Sequence, residues 1–113
     1  GRVNARYETA VTRDLTLLMV AANSGHKRLA KMLLRNGAEA NLGSSEGWTA
    51  LMSAAFTGHE QLVDVLLRNG AEVDLQSSDN ATALMHAAVD GHERVVDLLL
   101  RHGAEINQQD SGG

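Results

Sequence analysis

The stretch "GWTALMSAAFTGHEQLVDVLLRNGAEVD", residues 47–74, decides the fold of this chain of 113 residues. It returns with few changes 33 residues later, and in a more divergent form 33 residues earlier. Residues 44–76 and 77–109 are identical at 20 of 33 aligned positions. Self-similarity at one fixed period indicates repeated units that bury their apolar faces against one another.

The residues that recur are those expected to shape a short helical unit. Each copy has a threonine, an apolar pair, two alanines, a Gly-His pair, a Leu-Leu-Arg run and a closing Gly-Ala-Glu. In the order of the three copies, the markers are Thr16, Thr49 and Thr82; Met19, Met52 and Met85; Gly25, Gly58 and Gly91; Arg35, Arg68 and Arg101; and Gly37, Gly70 and Gly103. All of them keep the 33-residue phase.

Each unit is predicted to contain two helices and an extended finger. In the middle copy Thr49 is suited to cap free backbone N–H groups, so a short Ala-rich helix is expected to begin after it. Gly58 interrupts that helix, and Glu60 opens a second helix where an acid favours the positive end of the helix dipole. Gly70 is placed to take the left-handed turn after Arg68. A turn of Ser, Asp and Asn then leads to the next threonine.

Composition excludes several classes of function. The net charge is −4 with no clustered basic stripe, so we expect no nucleic-acid partner. The chain has no cysteine, which excludes disulfides and thiolate zinc sites. Its apolar runs are far shorter than a membrane span, so we expect no membrane partner. Only 3% of residues are aromatic, and the core must be built from Leu, Val, Ala and Met.

No catalytic or metal site is predicted. His26, His59 and His92 recur once per unit, so the stack would separate them by one repeat, whereas metal ligands converge within a few ångströms. A structural role for each Gly-His pair is favoured. His86 stands where the other copies have Ser53 and Val20, which favours packing or surface exposure over ligation. We expect neither an enzyme nor a cofactor.

The recurring Thr-x-Leu, Ala-Ala, Gly-His, Leu-Leu and Gly-Ala pattern resembles that of the ankyrin repeat family over about residues 11–107. The resemblance implies an all-α solenoid of stacked helix-turn-helix units with β-hairpin fingers. The chain departs from the family's frequent Thr-Pro-Leu-His, because it has no proline and carries Met19, Met52 and Met85 at the histidine position. These methionines are expected to fill the volume.

One ankyrin-repeat domain is predicted over residues 1–113. Repeats are expected at about residues 11–43, 44–76 and 77–109, with an irregular N-terminal finger at 1–15 and part of a next finger at 110–113. The first finger is expected to be four residues longer than the others. Both outer helix pairs lack an obvious polar replacement for their stacking faces, as if excised from a longer array.

Two aromatic residues are the strongest candidates for a binding site. Trp48 aligns with Leu15 and Ala81, and Phe56 aligns with Asn23 and Val89. Close-packed cores do not accept such varied volumes, so these positions are predicted at the surface. The family resemblance implies a concave face that carries the partner-binding residues. They are Arg13, Leu15, Asn23, Ser45, Glu46, Trp48, Phe56, Thr57, Asn69, Ser78, Asp79, Val89, Asp90 and His102.

The leading hypothesis is a non-catalytic module that binds a protein or peptide through this face, with Trp48 and Phe56 as anchors. A competing interpretation is that Trp48 merely shields the backbone of its finger. Alternative functions are a structural segment that associates end to end with itself, a designed scaffold, and a methyl-lysine reader whose cage would need Tyr7. An intracellular location, in the cytoplasm or the nucleus, is expected.

Overall fold

The computed structural model describes residues 16–107, and six helices lie in this part of the chain. In chain order they are α1 (Leu17–Ser24), α2 (Lys27–Arg35), α3 (Ala50–Thr57), α4 (Glu60–Arg68), α5 (Ala83–Val89) and α6 (Glu93–Arg101). Consecutive pairs form three helix-turn-helix units, as the repeat pattern predicts. The expected irregular finger at 1–15 and the partial finger at 110–113 lie outside the described residues.

The helix boundaries follow from the repeated capping residues. Each first helix begins after a threonine whose hydroxyl accepts a hydrogen bond from a backbone N–H three residues on, at 3.0, 3.3 and 3.3 Å for Thr16, Thr49 and Thr82. Each second helix is followed by a glycine in the left-handed region, with φ of 95°, 92° and 93° at Gly37, Gly70 and Gly103. The predicted caps and stops are therefore confirmed.

The helices stack in two rows. The first helices α1, α3 and α5 pack side by side, and the second helices α2, α4 and α6 form a parallel row behind them. Between the rows lies a core of Leu, Met, Val and Ala, in which Met19 and Met52 are each 1% exposed. These two methionines fill the position of the family's histidine, as expected.

The fingers are tight turns rather than paired strands. Backbone N–H groups of Ser44 and Ser77 each donate to a carbonyl four residues on, at 2.9 Å in both fingers. The two fingers are joined by a bond from the Ser78 N–H to the Glu46 carbonyl at 2.7 Å. No residue between 16 and 107 belongs to a regular strand. A second backbone bond closes each turn, from the Gly47 N–H to the Ser44 carbonyl and from the Asn80 N–H to the Ser77 carbonyl, both at 2.8 Å. The predicted hairpins thus exist as turns closed by two backbone bonds each.

Neighbouring units are also joined through the loops that follow the second helices. The side chain of Asn41 donates to the Gly70 carbonyl at 3.0 Å and accepts from the Glu72 N–H at 2.7 Å. One unit later, the Asp74 carboxylate accepts from the Glu105 N–H at 3.0 Å. These bonds satisfy backbone groups in loops that would otherwise depend on water.

The closest approach between units is at the Gly-His pairs. A Cβ atom added to Gly58 would lie 2.7 Å from the ring of His92, and one added to Gly25 would lie 2.8 Å from the ring of His59. Nothing lies within 4 Å of the corresponding atom at Gly91, which has the same left-handed φ. Gly58 is therefore required for stacking as well as for conformation.

Comparing Gly58→Ala with Gly91→Ala separates these two requirements. Both substitutions pay the left-handed penalty of about 1–2 kcal/mol. Only Gly58→Ala also displaces the ring of the next unit, so we expect it to lower the free energy of unfolding by at least about 1 kcal/mol more. Urea unfolding of both variants measures the difference, and equal destabilisation would contradict the stacking role.

Candidate functional site

Three rings from the second and third units form one cluster. Trp48 lies at the base of a finger, Phe56 near the end of α3, and His86 in α5 of the next unit. The Trp48 and His86 ring centroids are 4.5 Å apart with planes at 70°. Phe56 lies 6.2 Å from Trp48 and 6.0 Å from His86, again edge to face. Such geometry is the favourable one for ring quadrupoles. We call these three residues the ring cluster.

Trp48 is half-buried, which differs from the expected exposed pair. Its indole N–H donates to the hydroxyl of Ser53 at 2.6 Å, and its ring packs against the hydrophobic core and His86. Ser53 itself is 3% exposed, so the bond holds the indole down on α3. Phe56 is 44% exposed, as predicted for a surface position. Trp48 therefore packs onto its own unit, and it also lies next to the exposed ring of Phe56.

His86 is the member that the sequence did not identify. Read alone, it is a single substitution at a varied repeat position. The repeat alignment is the sequence feature that could have identified it. His86 occupies in the third unit the position that Ser53, the hydrogen-bond partner of the Trp48 indole, occupies in the second unit. In the structure, its ring contacts Trp48 across the boundary between the second and third units. Its Nε2 atom is buried without a hydrogen-bond partner.

Burial and a nearby carboxylate act on His86 in opposite directions. Desolvation lowers the pKa of His86 below its usual value, while the negative charge of Asp79 acts to raise it. Asp79 lies in the finger of the same unit and is exposed. Its pKa is lowered, mainly because the Ser77 hydroxyl donates to its carboxylate. At neutral pH the cluster therefore holds a neutral imidazole beside an ionised acid.

The fingers and first-helix ends that carry the ring cluster also carry exposed apolar and acidic side chains. Val89 occupies in α5 the place of Phe56 in α3, and it is 78% exposed. Glu46 and Asp79 lie at the finger tips and Asp90 directly follows α5, all three exposed. We call the two fingers, residues 44–48 and 77–81, together with the C-terminal ends of the first helices, the finger face.

Charge is segregated between the two sides of the stack. Over residues 16–107, every lysine and arginine lies in one of the second helices α2, α4 and α6. Several pair there with acids, as Arg68 does with Asp64 and Arg101 with Asp97, both at 2.9 Å. The finger face carries acids and no lysine or arginine within that range. It is therefore an acidic surface with an apolar centre.

The remaining predicted site residues fall into three groups. Ser45 and Ser78 are exposed at the finger tips, and Asn23 is exposed near the end of α1. The Thr57 hydroxyl donates to the Ser53 carbonyl at 2.8 Å, within its own helix. The side chains of Asn69 and His102 lie at the ends of second helices. Each donates to the backbone carbonyl four residues back, at 2.7 and 3.0 Å. Arg13 and Leu15 lie outside the described residues.

The recurring histidines have structural contacts. The His92 ring covers Gly58 and its Nε2 donates to the Phe56 carbonyl at 3.0 Å, which joins two units. The His59 ring likewise covers Gly25. Between residues 16 and 107, no three His, Asp or Glu side chains are grouped so that they could hold a metal ion.

Fold and surface together define a helical repeat solenoid in which the helices of adjacent units pack side by side. A family model of ankyrin repeats, in three copies, matches residues 8–110, and the chain belongs to the ankyrin repeat family. Comparison with curated proteins finds no match. Ankyrin repeats generally mediate protein–protein interaction, and the family is typically non-enzymatic. None of the helices in residues 16–107 has the length and hydropathy needed to cross a membrane.

The protonation of His86 provides a direct test of the ring cluster. We expect an NMR titration to place its pKa below the ordinary value of about 6.5. Asp79→Asn removes the charge that favours the imidazolium, so the pKa of His86 should fall further in this variant. An unchanged or raised pKa in Asp79→Asn would contradict the arrangement.

The same shift predicts how stability depends on pH. Because the folded state disfavours protonated His86, the unfolded state binds the proton more readily. The free energy of unfolding should therefore decrease as the pH falls below the unfolded-state pKa of about 6.5. His86→Ser, which restores the residue found at position 53, should make this decrease smaller. Urea unfolding at a series of pH values measures it.

Proposed function

We propose that this chain is a non-catalytic module that binds a protein or peptide through the finger face, centred on Trp48 and Phe56. The observation that carries the proposal is the exposed ring of Phe56, which meets two other rings edge to face on a side of the stack that carries exposed acids. Large exposed apolar side chains with a polar rim are typical of the centres of binding surfaces. No cofactor takes part.

The ring cluster supplies a rigid platform for an apolar partner group. Trp48 is fixed by its bond to Ser53 and by its contact with His86, so little side-chain entropy is lost when a partner covers it. Phe56 and Val89 stand at equivalent places of adjacent helices and are the exposed apolar contacts. A partner residue seated between them would bury both side chains against a preformed base.

The acids around the cluster define the charge of the partner. Glu46, Asp79 and Asp90 are exposed and lie on the side of the stack that has no lysine or arginine between residues 16 and 107. Such a surface attracts basic groups and repels acidic ones, which accelerates association and adds specificity. We therefore infer a segment with an apolar residue flanked by lysine or arginine.

Peripheral positions complete the proposed surface. Ser45 and Ser78 at the finger tips and Asn23 on the preceding unit extend it along the stack. We propose the same for Arg13 and Leu15, and for Thr57, Asn69 and His102 through those parts of their side chains that remain accessible. These residues would contribute polar contacts at the rim, where single substitutions have small effects.

A methyl-lysine cage is not favoured by the ring geometry. A cage needs ring faces directed at a common cation. In the ring cluster Trp48, Phe56 and His86 meet edge to face with one another. Tyr7, the third ring that a cage would need, lies outside the described residues. An intracellular location, cytoplasmic or nuclear, stays a proposal that accompanies the binding role.

Selection from a random peptide library tests the proposed function. Peptides enriched on the wild-type chain should share an apolar residue flanked by Lys or Arg. Phe56→Ala should weaken their binding about 30-fold, which corresponds to a loss of about 2 kcal/mol. Asp79→Asn with Asp90→Asn should weaken it further and reduce its dependence on salt concentration.

The matched control is Met32→Ala. Met32 is 57% exposed and lies in α2, among the second helices, so its truncation removes exposed apolar surface on the other row. Binding should be unchanged in this variant. Peptides that bind equally to wild type and Phe56→Ala, or that lose affinity with Met32→Ala, would place the binding surface elsewhere.

A further inference from the structure

The C-terminal face of the stack exposes apolar positions that the middle unit buries. Ala55 and Val63 of the second unit are each 0% exposed, because the third unit packs on them. Their equivalents in the third unit are Ala88, which is exposed, and Val96, which is half-buried. The third unit thus presents the same stacking surface with nothing of residues 16–107 packed upon it.

The N-terminal face shows the complementary pattern. Leu62 and Val65 of α4 are 1% and 4% exposed where they pack toward the first unit. The equivalents in α2 are Leu29 and Met32, at 40% and 57% exposed. Each end of the described stack therefore carries one half of an interface that occurs twice between residues 16 and 107.

Polar contacts of the inner interfaces also have matching halves at the two ends. Inside the stack the His92 ring covers Gly58, and at the C-terminal face Gly91 has open space where such a ring would lie. His26, the equivalent of His92 in the first unit, is exposed at the other end. The two halves of this contact lie at opposite ends of the three described units.

The ion pair between the second and third units also has its two halves exposed at the two ends of the described stack. Arg94 lies 3.6 Å from Glu60 of the preceding unit. The equivalent acid in the third unit is Glu93, and the equivalent base in the first unit is Arg28, both exposed. Between the first and second units, Lys27 stands at the position of the acid and Gln61 at the position of the base, so this ion pair is replaced there.

The loop clamp is repeated as well. Asn41 bonds the Gly70 carbonyl and the Glu72 N–H of the next unit. Asn107 stands 66 positions after Asn41 and is exposed, and the Gly-Ala-Glu at 37–39 of the first unit offers the same backbone groups. The three polar contacts and the apolar patch therefore all predict the same alignment of the first unit of one copy on the third unit of another.

We propose that the third unit of one copy receives the first unit of a second copy, in the same register that joins units within the chain. In this arrangement the second copy's His26 covers Gly91, its Arg28 meets Glu93, and its 37–39 loop meets Asn107. The contact is heterologous, so each added copy exposes a new end and the assembly grows without closing. It is independent of the binding role of the finger face.

Sedimentation equilibrium from micromolar to near-millimolar concentration tests this association. The average mass should rise above 12.0 kDa with concentration and pass the dimer value without a plateau. Ala88→Arg places a bulky charge at a position exposed in the single chain, and we expect it to weaken association at least about tenfold. Gln61→Arg is the control, since it adds the same charge to the middle unit at a position where both other units already carry arginine.

A charge exchange tests the register itself. Glu93→Arg and Arg28→Glu should each weaken association about fivefold, and the chain that carries both substitutions should recover it. A mass of 12.0 kDa at every concentration overturns the proposal. So does a plateau at the dimer, a failure of Ala88→Arg to weaken association, or the absence of recovery in the doubly substituted chain.

Discussion

The architecture depends on the close approach of each Gly-His histidine ring to the glycine of the preceding unit. The ring of His59 leaves no room for a Cβ at Gly25, and the ring of His92 leaves none at Gly58. Because a histidine ring and a bare backbone meet at the same place in each junction, the units stack in one register. That register brings the apolar helix faces, the Asn41 and Asp74 clamps and the finger contacts into place together.

The ring cluster is a consequence of the same register. Trp48 belongs to the second unit and His86 to the third, and they meet only because equivalent positions of adjacent units lie side by side. Variation is tolerated there, since each unit can place a different residue on an unchanged backbone. The finger face carries acids, while the lysines and arginines of residues 16–107 lie in the second helices. The repeated backbone thus presents surface positions whose side chains differ from unit to unit.

Local features of the fold could be read from the sequence because each unit repeats them. Threonine caps, left-handed glycines and the two helices per unit follow from residues within a few positions of one another. Contacts between units were harder to foresee. The pairing of the indole with Ser53 and His86, and the resulting half-burial of Trp48, depend on how two units face each other. The clamps made by Asn41 and Asp74 are a second example, because their side chains satisfy backbone groups of the next unit. A sequence pattern states which residues recur, but not which atoms meet across a junction.

A double-mutant cycle between Trp48 and His86 tests the central claim that stacking builds one surface across units. Trp48→Leu and His86→Ser introduce residues that the chain already has at the positions of Leu15 and Ser53, so each is compatible with the repeat. Urea unfolding of the wild type, both single variants and the double variant should give a coupling energy of about 0.5–1.5 kcal/mol, as for packed aromatic pairs. Strictly additive effects would mean that the two rings do not meet, and would contradict a surface shared by neighbouring units.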